Sequence, residues 1–564
     1  MQNPKKLEDI LQLIAVVLLL VLLNIHATKF FFRLDLTEEK RYTIADASKK
    51  ILNSLDDQVY VEVYLDGELN AGFKRLQKAI KETLEEFQIY GGDNVQYKFV
   101  NPDAATSEQE RTAFYKQLVN KGLQPTNLYE TVNGQRKEKL IFPAALITYK
   151  NRETPVLLLK GSSAVTPQEQ LNQSVENVEF ELVSAIKKLS AKQKPSIAII
   201  EGHDELRPQD IGDLTATLDE FYVTERINLQ HSNLQGYDAV LIAQPKKRYT
   251  ELDKYKIDQF IMRGGKALFF LDAIQMNLDS IGIGGAYAFG YDLNLNDMLF
   301  KYGVRINQDL IQDTEMGKIV INVGSFGNRP NLQGLPFPYY VLINSFKKMP
   351  ITKNLNSVQT KFVSSIDTVK AEGKVTKTPL MRSNQYSFVR PMPNIVSLDE
   401  VRNDDVRRYN KRFVPVAYLL EGQFASVFKN RFAPDSADNK TVLQQSSKPT
   451  QILVCSDGDL PRNEIDRRTN KPLPLGYEPL SQQTYSNKDF ILNTLAYMLD
   501  HDGLITARAK EVTLRPLDKI KIREDKLYWQ ILNIALPLLV VALFGGFRFW
   551  WRKKQYAKYT NVQN

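Results

Sequence analysis

Between Lys194 and Ala273, short unbroken apolar runs alternate with segments of helical period, and this restricts the fold more than any other stretch. Ile197–Ile200, Ala239–Ala243 and Ala267–Leu271 show no polar alternation. Such runs suit strands covered on both faces, as in parallel sheets flanked by helices. Between the first two runs, Ile211, Leu214, Leu218 and Phe221 recur at three- and four-residue steps, the stripe of one helical face. The stretch predicts a doubly wound α/β unit with right-handed crossovers.

A chain of 564 residues has room for about three such bodies. Its formal charge of +9 is modest for the length, and the C-terminal tail holds part of it, which points to a membrane before nucleic acid. Cys455 is the sole cysteine, so an internal disulfide framework and any C-x-x-C site are excluded. Ile10–Ile25 is apolar except for Gln12 and Asn24, and no small-x-small cleavage site follows. Leu527–Phe547 is a second apolar run of bilayer-crossing length, edged by Tyr528, Trp529, Phe549, Trp550 and Trp551. Arg548, Arg552, Lys553, Lys554 and Lys558 follow it without an acidic residue, and Lys5 and Lys6 precede the first run. The positive-inside rule then puts both termini in the cytoplasm and the body on the other side of an inner membrane.

After the first span, residues 59–190 read strand, helix, strand, helix, strands near 139–149 and 153–160, and a helix over 170–190. That order is thioredoxin-like, with Pro143 ahead of a strand. The loop after the first strand, DGELNAGF, has no cysteine, which excludes thiol–disulfide chemistry. The resulting plan is a cytoplasmic N-terminus (1–9), a span (10–32), a thioredoxin-like domain (33–192) and a doubly wound, glutamine-amidotransferase-like domain (193–510). A β-rich insertion occupies about 304–448. A juxtamembrane segment (511–526), a span (527–547) and a basic tail (548–564) complete it.

Several strings carry a resemblance over nearly the full length. They are RLDLTEEKRYT (33–43), VYVEVYLDGELN (59–70), EGHDE (201–205), LNDMLFKYGVRIN (295–307), FPYYVLIN (337–344), CSDGDLPRNE (455–464) and NKDFILNTLAYMLDHDGLITARAK (487–510). Together they resemble the GldG gliding-motility family and the wider set of ABC-transporter auxiliary proteins. The resemblance implies a substrate-binding or auxiliary subunit of Bacteroidetes-type gliding bacteria, working with a separate permease and a separate ATPase. The family's glycine in EGHGE is Asp204 in this chain.

Candidate chemistry is sparse. EGHDE falls at the carboxyl end of the first strand of the sheet, where open α/β folds bind ligands. Glu201, His203, Asp204 and Glu205 are therefore candidate ligand residues, against the alternative of a solvated turn whose acids favour the next helix N-terminus. Asp457 and Asp459 in SDGD join them on the resemblance. Gly282, Gly284, Gly285 and Gly290 lack the dinucleotide spacing, and no G-x-x-x-x-G-K-[ST] motif occurs. ATP hydrolysis by the P-loop route thus belongs to a partner. Cys455 sits at a strand end but lacks a nucleophile elbow, so a buried strand cysteine is expected. DKIKIREDK (518–526) reads as a solvated juxtamembrane segment. The expectation is a non-enzymatic auxiliary subunit with no cofactor and no resident metal. The alternatives are an extracytoplasmic hydrolase using Cys455 or His203, and a structural connector to envelope machinery.

Overall fold

The computed structural model describes residues 13–22, 43–105, 107–132, 135–159, 166–191, 193–276, 281, 285–326, 329–398, 405–434, 443–500, 503–509 and 523–559. The chain divides into two units, Met1–Lys510 and Glu511–Asn564, and mixes helices with several sheets.

The first part of the larger unit runs α1 (Asp46–Asn53), β1 (Val59–Val63), α2 (Ala71–Gly91), β2 (Val95–Phe99) and α3 (Glu108–Asn120). It continues through β3 (Thr126–Val132), β4 (Gln135–Ile141), β5 (Ala144–Tyr149), β6 (Arg152–Leu157) and α4 (Pro167–Ser190). Helices begin where the sequence supplies caps. Asn70 accepts from the Phe73 N–H and Ser107 from the Glu110 N–H, while Thr166 and Glu169 form a reciprocal capping box beside Pro167. In α1, Ala45 holds the cap position and gives its N–H to the Glu179 carboxylate. The sheet order is β2-β1-β5-β6, with β2 parallel and β5 antiparallel to β1. The strand expected over 139–149 is two strands, because Pro143 has no N–H for a ladder. The piece before it pairs with β3 in a hairpin of its own. Leu76, Ile80, Leu84 and Phe87 of α2 pack with Leu182, Val183 and Ile186 of α4 over the valines of β1. Leu504 and Ala507, far along the chain, complete this core.

The second part opens with β7 (Ser196–Glu201), α5 (Gly212–Phe221), β8 (Val223–Asn228), β9 (Ala239–Ala243), α6 (Glu251–Met262) and β10 (Lys266–Phe270). Shorter elements follow: β11 (Ile274–Met276), β12 (Ala286–Gly290), α7 (Asn296–Tyr302), β13 (Val304–Ile306), β14 (Asp309–Asp313), β15 (Met316–Phe326), β16 (Arg329–Ile343), β17 (Ser345–Phe346) and β18 (Val358–Gln359). Then come β19 (Ile366–Thr368), β20 (Val375–Arg382), β21 (Ser387–Pro391), β22 (Asn394–Val396), β23 (Pro415–Gly422), β24 (Thr450–Cys455) and α8 (Asn487–Leu499).

An eight-stranded sheet, ordered β17-β20-β23-β24-β10-β9-β7-β8, forms the centre. From β24 to β8 neighbouring strands are parallel, and β23, β20 and β17 add antiparallel neighbours. The three apolar runs are β7, β9 and β10, with β9 buried at every residue. Strand β8 was not anticipated: VTERIN is half polar because it is the edge strand and needs cover on one side only. The β-rich stretch is also not set apart from the sheet. Its strands β17, β20 and β23 extend the sheet, and β24 returns between β23 and β10.

Asp258 of α6 ties the later segments to this sheet. It is buried and accepts from Ser426 Oγ (2.6 Å), the Val427 N–H (3.0 Å), Tyr302 Oη (2.8 Å) and Gln259 Nε2 (3.0 Å).

In the smaller unit, α9 (Lys526–Tyr559) includes a stretch, Lys526–Lys554, long and apolar enough to cross a membrane. At 1.5 Å per residue its 29 residues measure about 43 Å. Pro537 lies within it. Near the other end, Leu13–Leu22 is a shorter apolar helix. The remainder of the span expected over 10–32, like residues 518–522 of the juxtamembrane string, lies outside the described residues.

Replacing Asp258 by Ala strands four donors in the interior and is expected to cost about 2–4 kcal/mol. Tyr302→Phe, which removes one hydroxyl, should cost about 1 kcal/mol. Urea denaturation of the purified protein measures both, and equal effects would contradict the role given to Asp258.

Candidate functional site: the carboxyl ends of the parallel strands

The chain steps from β7 outward to β8, then turns back to β9 and β10. Its direction reverses between β7 and β9, and the crevice beyond the carboxyl ends of such strands is where open α/β sheets hold ligands. Four loops meet there, following β7, β9, β10 and β24.

The loop after β7 is EGHDE. Gly202 has φ +120° and Asp204 φ +56°, both left-handed. A Cβ on Gly202 would approach Asn228 Oδ1 to 3.0 Å. Aspartate is among the few non-glycine residues that enter the left-handed region readily, which explains how Asp204 stands where the resembling family has glycine. The Asp204 side chain is more than half exposed and pairs with Lys247 at 3.0 Å. Glu201 is bound by Arg226, whose Nη2 also donates to the Leu206 carbonyl at 2.8 Å.

His203 and Glu205 do not line an exposed loop, contrary to the expectation for EGHDE. Their side chains are each 3 % exposed. The His203 ring stacks on Tyr249 with centroids 3.7 Å apart and planes at 15°. Its Nδ1 lies 3.4 Å from Glu205 Oε1 and its Nε2 3.3 Å from Asp253 Oδ2. Tyr249 Oη donates to Glu205 at 2.8 Å, and the His203 N–H donates to the same carboxylate at 2.7 Å. The His203 carbonyl accepts from the Lys246 and Lys247 N–H groups (2.8 and 2.9 Å), and the Ala243 carbonyl accepts from Leu206 N–H (3.1 Å). The mouth of the crevice is thus closed by the chain's own backbone. Burial opposes a charge on His203, but hydrogen bonds to Asp253 and Glu205 outweigh it and raise its pKa to about 9. Burial likewise works against Asp253, yet His203 and Thr250 hold it below the usual carboxylate range. Tyr249 and Asp253 escaped sequence reasoning, since neither belongs to a motif. Asp253 carries one sequence mark only: Thr250, three residues before it, caps α6 by accepting from its N–H.

Asp457 and Asp459 are brought together with Asp272, at the end of the neighbouring strand β10. Asp272 accepts from the Gly458 N–H (2.6 Å) and Gln244 Nε2 (2.8 Å). Asp457, fully buried, accepts from the N–H groups of Lys361 (2.9 Å) and Asp459 (2.8 Å). Arg462 completes the group, with Nε 2.6 Å from Asp459 and Nη2 on the Gln244 side-chain oxygen. Gly458 has to be glycine, because a Cβ there would sit 2.7 Å from Gln244 Cγ and 2.8 Å from Asp272 Oδ2. Gln244 itself is held at φ +51°. Burial, reinforced by Asp459, lifts the Asp272 carboxyl to about 7. Burial with Asp459 and Asp272 nearby raises Asp457 well above its ordinary value. Asp272, Gln244 and Arg462 were not singled out in the sequence; the sheet order alone brings them to the SDGD turn.

Chemically this is a polar cluster of three carboxyls and one guanidinium whose hydrogen bonds are made within the chain. The cleft beside it, lined by Lys361, Asp457, Asp459, Arg462, Glu464 and Asn487 among others, encloses about 20 Å³, room for about one water. Ligand pockets for drug-sized molecules run to several hundred Å³. Cys455 is fully buried and its thiol is pushed well above the ordinary range by desolvation, the state of an inert core cysteine. Gly285 and Gly290 flank and end β12, while Gly282 and Gly284 lie outside the described residues. Among the described residues, no cluster of three or more His, Cys, Asp or Glu is arranged to hold a metal.

His203 gives a signed pH dependence. Its folded pKa is raised from 6.5 to about 9, so its contribution is complete below pH 6.5 and is lost as pH rises through 9. The expected loss is about 3 kcal/mol. Melting curves between pH 6 and 9.5 should fall for the wild-type protein and stay flatter for His203→Gln. Parallel curves would assign the alkaline loss to other groups.

With this geometry described, comparison with known proteins gives four findings. Residues 38–148 match a domain of unknown function (DUF7088). An uncharacterized protein of Borreliella burgdorferi is 22% identical over 455 residues, covering 78% of this chain and 82% of the relative. Among solved structures, the mmIFT52 N-terminal domain aligns over 54% of this chain and 98% of its own, at 11% identity and a TM-score of 0.31, too slight a likeness to carry an argument. Residues 194–494, more than half of the chain and all of the eight-stranded sheet, match the model of an ABC-type uncharacterized transport system, and the chain belongs to that family.

Proposed function

We propose that this protein is a non-enzymatic auxiliary subunit of an ABC transporter, anchored by apolar helices at both ends with its body outside the cytoplasm. The observation that carries the reading is the filling of the crevice. The position where a doubly wound sheet would bind a substrate is occupied by His203 against Tyr249 and by Gly458 against Asp272. The family match supports a transporter setting, and the lack of a P-loop motif in the sequence supports placing ATP hydrolysis on a separate subunit. Α permease subunit is the second partner. The basic residues after the C-terminal apolar stretch support a cytoplasmic C-terminus in an inner membrane.

The finer assignments rest on narrower support. A role in gliding motility rests on the resemblance to the GldG family. The thioredoxin-like reading rests on the β2-β1-β5-β6 order, and the amidotransferase-like one on the parallel half of the larger sheet. The hydrolase alternative is disfavoured by the burial of Cys455 and His203. The connector reading keeps the same anchors and body but needs no transporter.

Purification of the full chain from its own membranes should bring down an ABC ATPase and a permease in fixed proportion. Their absence under conditions that preserve other membrane complexes would favour the connector. Cys455→Ser should leave that association intact while costing about 1–3 kcal/mol of stability for a desolvated hydroxyl. Loss of function at unchanged melting temperature would instead restore the hydrolase.

A further inference from the structure

The edges of the sheets differ in how they are protected. An unprotected edge strand offers a row of unpaired N–H and C=O groups, and proteins blunt such edges with charge, proline or shortness. Edge strand β17 has two residues, and β8 carries Glu225 and Arg226. In the four-stranded sheet, β2 has five residues and a lysine, and β6 contains Pro155 after the charged Arg152 and Glu153. Strand β15 is longer than these. It is eleven residues, about twice the common length, with breaks in register between Met316 and Lys318 and between Asn322 and Ser325 that leave Lys318–Asn322 regular, and among the described residues it pairs with β16, as the outer strand of β15-β16-β18. From Lys318 to Asn322 its one charge is Lys318 and it contains no proline.

The pairing shows which groups face outward. Lys318, Val320 and Asn322 lie opposite Pro336, Gly334 and Leu332, while Ile319 and Ile321 lie opposite Leu335 and Gln333. Pro336 has no N–H to give, so the narrow hydrogen-bonded pairs are those of Ile319 and Ile321. The backbone N–H and C=O of Lys318, Val320 and Asn322 therefore point to the open edge. Val320 and Leu332, 44% and 43% exposed, lie on one face of the ribbon beside it. From Met316 to Ile343 the ribbon's sequence has two basic residues, Lys318 and Arg329, and no acidic one.

We propose that the outer edge of β15 is a strand-addition site, and that its occupant is an extended, acidic segment of a partner protein. Backbone pairing would supply the binding, apolar side chains of the segment would meet Val320 and Leu332, and an acidic residue would meet Lys318. Charge separates this occupant from the others. A second copy of the chain would bring the same acid-free ribbon and a net charge of +9 to the contact. An anionic bilayer needs clusters of about four to eight basic residues for stable attachment, more than the ribbon carries. The site rests on strand geometry and charge, whichever complex the body joins.

The test uses the full-length protein in its native membranes, with photoreactive p-benzoylphenylalanine placed at Val320 or at Leu332. Both positions should crosslink to one protein, on a peptide containing Asp or Glu. Asn322→Pro removes an outward N–H without touching the ribbon's own ladder, and Lys318→Glu reverses the charge. Each should cut the adduct at least fivefold, with the melting temperature of the protein unchanged. A lipid adduct, an adduct to a second copy of the chain, no adduct, or an adduct indifferent to Asn322→Pro would overturn the proposal. Loss of the ATPase and permease from the purified complex would count against the transporter reading and leave this one standing.

Discussion

The larger unit depends on where β24 pairs. Ala267 to Phe270 of β10 align with Ile452 to Cys455 in parallel, and the other edge of β24 takes Ala417 to Gly422 of β23 in the antiparallel sense. This one strand joins the parallel half of the sheet to the antiparallel half. It does so across a connection of roughly 180 residues, whose closure entropy grows only as the logarithm of length. The apolar run Ile452–Cys455 is fully buried, which compensates that closure. Part of the chain between β10 and β24 is thereby brought back to the sheet, with Asp258 holding Ser426 and Val427.

The same pairing shapes the polar centre. Placing β24 beside β10 sets Gly458 against Asp272, and no residue with a side chain fits there. Asp457, buried, and Asp272, half-buried, then lie near Asp459 with Arg462 as the adjoining cation, and desolvation raises both Asp272 and Asp457. A buried cluster of this type contributes less net stability than its ion pairs suggest, because desolvation offsets most of the attraction. Its effect is to set the geometry of the loops after β9, β10 and β24. His203 does the same for the loop after β7, between Glu205 and Asp253.

How far the sequence could be read follows from the range of the forces involved. Apolar runs and helical stripes are local, so β7, β9, β10 and α5 were legible. Strand β8 was not, because an edge strand carries polar residues that mimic a loop. Pro143 was placed correctly ahead of a strand, β5, but the β3–β4 hairpin before it was missed, because local apolarity continues across the proline while the ladder cannot. The EGHDE loop was located correctly at a strand end. Its inward turn was invisible because Tyr249 and Asp253, which bury His203, lie some fifty residues away. Asp272, Gln244 and Arg462 were hidden in the same way.

A crevice filled in this manner has a mechanical consequence. In an enzyme of this architecture the loops at the carboxyl ends are left free to close on a ligand. In this protein they are fastened to each other by backbone bonds from Lys246, Lys247 and Leu206 and by a buried charged histidine. These bonds restrain the loops after β7 and β9 relative to each other. The end of the larger unit is also returned to its beginning, since Leu504 and Ala507 pack in the core built around β1 and α4, and Lys187 pairs with Asp500 at 2.9 Å. The N-terminal sheet and the eight-stranded sheet are thus linked at both the first and the last residues of the second. The strand-addition edge proposed at β15 would be carried by a body tied in this way.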